Sequence, residues 1–186
     1  MKGQGAVDCM IASKVLGDQR KFIDAAIAAG MVPILPAKAD GAKYLKTKKS
    51  QISWTSLVTG VFFDWPFRSD FFDFDLKTKT ITWVDGGYTE FTGTTLPQIG
   101  GGGAVVSILE KPELTKNQYV YCSSLNTKMG RKKYVAGDYS GIMGLVIASA
   151  FTKRALGDSR AARLWDEKLG LPKEDLEETT KNLLSE

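Results

Sequence analysis

Along the first sixty residues the apolar positions change period twice. Between Asp18 and Gly30, Phe22, Ile23, Ala26 and Ile27 fall on one face, the spacing of an amphipathic helix. Asp18 stands where an N-cap is expected and Gly30 where a left-handed C-cap belongs. Directly afterwards MVPIL (Met31–Leu35) is an unbroken apolar run, which predicts a buried strand. Helix, glycine and buried strand make half of a βαβ unit, so a parallel sheet is the expected setting. Residues 38–48 predict a second helix with Ala42 and Leu45 inward. Trp54 to Thr59 then predict another sheet strand, ending at Gly60.

Beyond Gly60 the pattern loses this regularity. From Val61 to Leu76 the chain is crowded with aromatics, interrupted by Pro66 and interleaved with acidic residues. Thr78–Val84 and Tyr88–Thr92 flank DGG (Asp85–Gly87), a hairpin signal. Ile99 to Leu109 read as a helix opened by glycines, Gln118 to Cys122 as a strand, and Ser140 to Lys153 as a mostly apolar helix. Pro172, at a first helical turn, opens a last helix running to Leu184. The alternation is that of an α/β fold in one domain, 1–186. Residues 1–60 carry the parallel sheet, and 61–186 mix a smaller region containing the β-hairpin with the remaining α/β elements.

Composition restricts the chemistry more than the fold. The chain has 186 residues, 43% hydrophobic and 25% charged, ordinary for a globular protein, and it has no histidine. That excludes Ser-His-Asp and Cys-His relays, histidine metal ligands and the commonest general base. Cys9 and Cys122 are too few for a zinc site, so no metal is expected, and they read as free thiols of a reducing compartment. The net charge of +4 is concentrated in two clusters, one of Lys43, Lys46, Lys48 and Lys49, the other of Arg131, Lys132 and Lys133. Such runs read as solvated faces, and no nucleic-acid partner is expected from them. The N-terminus has no apolar signal core, and the longest apolar stretch, Gly141 to Phe151, falls short of the about 20 residues that span a bilayer. A soluble, cytoplasmic protein without membrane attachment is the expectation.

Neither Gly3 with Gly5 nor the run Gly100–Gly103 sits in the strand, G-x-G-x-x-G, helix context that grips a pyrophosphate. Proton transfer falls to lysines, tyrosines and carboxylates. Lys38 follows the Met31–Leu35 strand at the carboxyl end, where α/β sheets hold their ligands, and a desolvated lysine there can act as acid or base. The alternative for Lys38 is an exposed first-turn lysine. Asp64, beside Trp65, is a candidate polar anchor in an apolar pocket with Phe62 and Phe63, which otherwise read as core.

Three segments together, KVLGDQRKFIDAAIAAG (Lys14–Gly30), WTSLVTG with FFDW (Trp54–Gly60, Phe62–Trp65) and GLPKED (Gly170–Asp175), resemble the fungal NmrA-like, isoflavone-reductase-like group. These are atypical short-chain dehydrogenase relatives with an NAD(P)-binding Rossmann domain and a smaller substrate-binding region. The resemblance implies an incomplete Rossmann-like sheet, because the sequence opens near the family's fourth strand, after its glycine-rich turn. It implies NADP as the cofactor class, with the residues that would hold it unassigned. Lys38 matches the family's catalytic lysine through its spacing to Ala42, Lys43, Tyr44 and Leu45. Phe62, Phe63, Asp64 and Trp65 would hold a small aromatic or polyketide-like substrate for NAD(P)H-dependent reduction. Two other functions stay open: a non-catalytic regulatory relative that binds a protein partner, and a cofactor-free isomerase or cyclase using Lys38 or Asp64. Without the family's first strands the sheet would expose an edge and an apolar face, so a homodimer or protein partner is expected to cover it.

Overall fold

The computed structural model describes residues 5–8, 18–30, 32–36, 39–64, 74–75, 80–81, 90–101, 103–128 and 158–185. These form two compact units, residues 1–58 with 102–120 and residues 59–101 with 121–186.

In the first unit three short strands lie parallel: β1 (Ala6–Asp8), β2 (Val32–Pro36) and β3 (Thr55–Val58). Val7 stands opposite Pro33, and Ile34 opposite Thr55. The fourth strand, β8 (Gln118–Tyr121), completes the order β1-β2-β3-β8. Parallel strands need crossovers. Helix α1 (Gln19–Ala28) lies between β1 and β2 in sequence, and α2 (Ala39–Thr47) between β2 and β3. Gly30 takes the left-handed conformation, φ 68°, that its place after α1 requires.

Hydrophobic burial joins these elements. Ile23 and Ala26 of α1, Leu45 of α2, Ile52 and Trp54 form one core cluster, with Val7, Ile27 and Tyr119 packed against it. Ala42 is also buried, as its spacing predicts. Phe22 departs from the expectation. It lies one position round the helix from the Ile23–Ala26–Ile27 stripe and is 43% exposed. Asp18 makes no side-chain cap bond and instead pairs with Lys21 at 2.7 Å.

The second unit is built on β7 (Glu90–Thr94), which pairs in parallel with β4 (Val61–Phe62) and antiparallel with β9 (Leu125–Lys128). A hairpin-like pair joins β5 (Phe74–Asp75) to β6 (Thr80–Ile81), antiparallel. Of the expected hairpin, Ile81 and Thr80 pair with Phe74 and Asp75, and Glu90 to Thr92 pair with β9; residues 82–89, the DGG turn and the arm ends beside it, lie outside the described residues.

The predicted helix from Ile99 is two helices, α3 (Leu96–Ile99) and α4 (Ala104–Glu110), parted by glycines. Each glycine in a helix interior costs about 1 kcal/mol relative to alanine. Gly103 is the N-cap of α4, so the run opens that helix as expected and also parts it from α3. Helix α5 (Pro112–Thr115), strand β9 and helix α6 (Asp166–Leu169) carry too few apolar residues to signal themselves. The last helix, α7, spans Leu176–Ser185, later than Pro172 suggests, because Asp175 Oδ1 accepts from the Glu178 N–H at 2.9 Å and caps it. The predicted helix over Ser140–Lys153 lies outside the described residues. Among the described residues no helix is long and apolar enough to cross a membrane.

Candidate functional site

The carboxyl end of the parallel sheet is where the sequence places Lys38, two residues after β2 ends at Pro36 and one before α2 begins at Ala39. Lys38 and Trp65 both lie outside the described residues. Phe62, Phe63 and Asp64 are described, and they divide. Phe62 is 43% exposed, whereas Phe63 and Asp64 are buried. Burial of Asp64 is achieved by one hydrogen bond: Oδ2 accepts from the Leu96 N–H at 2.9 Å, where α3 starts. Its other oxygen, Oδ1, is buried with no partner.

Around that helix start lies a cluster that the sequence pattern does not single out. Thr95 caps α3, its hydroxyl accepting from the Gln98 N–H at 3.4 Å and donating to Glu174 Oε1 at 2.6 Å. The Thr95 N–H donates to Ser124 Oγ at 3.2 Å, and Ser124 Oγ donates in turn to Gln98 Oε1 at 2.7 Å. The neighbouring Ser123 N–H donates to Asp166 Oδ1 at 2.9 Å. Four segments distant in sequence are thus tied by side chains that the chain brings together only on folding. The one available signal was GLPKED, whose Glu174 bonds Thr95.

Two consequences for titration follow. Burial raises the Asp166 carboxyl above the ordinary carboxylate range, although the Ser123 N–H and the Lys173 charge pull it down. Cys122 is fully buried, and burial, with the nearby Asp166 charge, pushes its thiol up to about 12. A thiol so held is not a nucleophile near neutral pH, in keeping with its reading as a small buried hydrophobe.

The described cavities differ in place. One, of about 600 Å³, is lined by Gly5, Ala6, Ser53 and Thr55 with α4 and α5 residues. Gly5 with Ala6 and Ser53 with Thr55 mark the starts of β1 and β3, so it lies at the amino end of the strands. Ligands in α/β sheets bind outside the carboxyl end. The other, of about 390 Å³, lies in the second unit, lined by Ser123, Ser124, Asp166, Lys173 and Glu174 among others. Neither is lined by Phe62, Phe63 or Asp64.

A dinucleotide needs two features of such a sheet: a reversal of strand order that opens a crevice, and a glycine-rich first turn. The order β1-β2-β3-β8 runs one way without reversal. Residues 9–17, between β1 and α1, lie outside the described residues. Among the described residues no group of three or more acidic or cysteine side chains is placed to hold a metal ion.

What the fold defines is an α/β protein with a small parallel sheet. Comparison with known proteins adds distant relatives. The chain is 26% identical to Oxidoreductase aprR of Aspergillus flavus over 146 residues, covering 67% of this chain and 48% of that protein. It is 24% identical to Oxidoreductase poxI of Penicillium oxalicum over 242 aligned positions, covering 99% of this chain and 76% of that protein. The chain thus spans about half the length of the first relative. The second alignment is longer than the 186 residues present, so stretches of that relative stand opposite gaps in this chain. No family model and no solved structure matches the chain.

Proposed function

We propose that this protein is an NmrA-like relative of NAD(P)H-dependent reductases, built on a Rossmann-like sheet, that binds a small aromatic or polyketide-like molecule without gripping a dinucleotide through its own described residues. One observation carries the reading. Parallel strands β1, β2 and β3 alternate in sequence with helices α1 and α2, in a chain aligned over 99% of its length with a protein named an oxidoreductase. That supports redox-enzyme ancestry. In the second unit the chain's own contributions to binding are then Phe62, Phe63 and Trp65 as apolar contacts and Asp64 as polar anchor; Lys38, after β2 in the first unit, is a separate candidate for proton transfer.

The orphan oxygen of Asp64 favours the anchor role, since a buried unpaired carboxylate oxygen is costly unless something donates to it. Calorimetric titration with NADPH into the purified chain tests the proposal. The expected result is no saturable heat at millimolar cofactor. Saturable binding, together with NADPH oxidation that Lys38→Met abolishes, overturns it in favour of an active reductase.

A further inference from the structure

In the first unit α1 and α2 each lead from the carboxyl end of one parallel strand to the amino end of the next, so both helices begin at the same end of the sheet. They run 10 and 9 residues. The first-turn N–H groups of a helix have no partner within it, and aligned peptide dipoles leave partial positive charge there. At α1 the usual acceptor is turned away. Asp18 stands at the N-cap but makes no side-chain cap bond, and it pairs with Lys21 at 2.7 Å instead.

The two helix starts meet through Gln19, the first residue of α1. A β-carbon built on Gly41, the third residue of α2, would stand 2.2 Å from Gln19 Oε1 and 3.8 Å from its Nε2. The Gln19 amide therefore fills the space this glycine leaves open, against the first turn of α2. Gln19 is 2% exposed, and its Nε2 is buried without an acceptor among the described residues. A buried N–H left unpaired is costly, and an acceptor supplied from outside removes that cost. An unused amide donor set where two helices begin is the complement of a negatively charged oxygen.

We propose that the adjoining starts of α1 and α2 bind the oxyanion of a small molecule, a carboxylate or a phosphate. Gln19 Nε2 donates to one oxygen, and first-turn N–H groups donate to another. The site goes beyond the ligand reading of the second unit, since Phe62, Phe63 and Asp64 take no part in it.

Acetate and inorganic phosphate, titrated into the ¹⁵N-labelled chain against sodium chloride at equal ionic strength, test it. At least one should saturably shift the Gln19 side-chain amide and the backbone amides of Gln19 and Gly41, and which one does so tells carboxylate from phosphate. Gln19→Met keeps the length of the side chain and removes a buried unpaired donor, so it should not lower Tm. It should weaken that anion at least about tenfold, the worth of a hydrogen bond to a charged group. Gly41→Ala pushes the Gln19 amide aside while alanine favours the helix, and should weaken the anion by a similar factor. No saturable shift at Gln19 and Gly41, equal shifts from chloride, or full affinity in Gln19→Met would each overturn the proposal. NADPH shifting the same amides at lower concentration than either anion would overturn it too, by assigning the helix starts to a dinucleotide.

Discussion

Gly60→Ala tests the packing of the second unit at a defined point. Gly60 has φ 65°, a conformation that costs a side-chain-bearing residue about 1–2 kcal/mol. Space is the larger obstacle. A β-carbon built on Gly60 meets the Thr92 carbonyl oxygen at 2.3 Å and Thr92 Oγ1 at 2.9 Å. Thr92 is fully buried in β7, its backbone is held in register with Asn126 of β9, and its hydroxyl accepts from the Ser159 N–H at 3.1 Å. Backbone so tied cannot move aside, and overpacking of this kind costs about 1–3 kcal/mol more.

Gly30 provides the control. Its φ is 68°, nearly the same, but an added β-carbon there meets nothing within 4 Å. Gly30→Ala should lose only the conformational part. The difference between the two variants isolates the clash, about 2 kcal/mol, or roughly 4–8 °C in Tm for a chain of this length. Thermal unfolding followed by circular dichroism, with urea midpoints as a second readout, measures it. Equal losses in the two variants would refute the close approach of Gly60 to β7.

Asp166 makes stability depend on pH in a direction opposite to most carboxylates. Its folded-state pKa is raised by burial, so the stabilisation present below the unfolded-state value is lost as pH rises through the raised value. Asp166→Asn should therefore gain stability relative to the parent as pH rises above the ordinary carboxylate value of about 4, read as diverging urea midpoints; a constant gap rules this out. Cys122, with its thiol pushed up to about 12, should hold about one part in ten thousand thiolate at pH 8. Its tryptic peptide should take up iodoacetamide only when the protein is unfolded in guanidinium, and rapid native labelling would contradict the burial.

Much of the first unit was legible in the sequence because its elements obey local rules. Periodicity located α1 and α2, and Gly30 punctuated the passage into β2. Ala42 and Leu45 are buried as their spacing requires. Phe22 shows where the rule weakens, at the margin of the stripe. In the second unit local signals compete. Thr80–Ile81 pair with Phe74–Asp75 and Glu90–Thr92 with β9, pairings that the pattern of each segment alone does not specify. The glycines after Ile99 were legible as the opening of α4; that Thr95 caps a separate short helix before them was not.

By itself, then, the sequence determined the α/β alternation, the parallel setting of β2 and β3, and the absence of histidine chemistry. Those are properties of spacing and composition, which every copy of the chain carries unfolded. Tertiary structure alone decided that Asp64 is buried with one oxygen unpaired, that Thr95, Ser124 and Glu174 meet, and that Asp166 lines a negatively charged cavity in a basic chain. Each of these joins residues roughly 30 or more positions apart, and hydrogen bonds of that reach have no signature in local pattern.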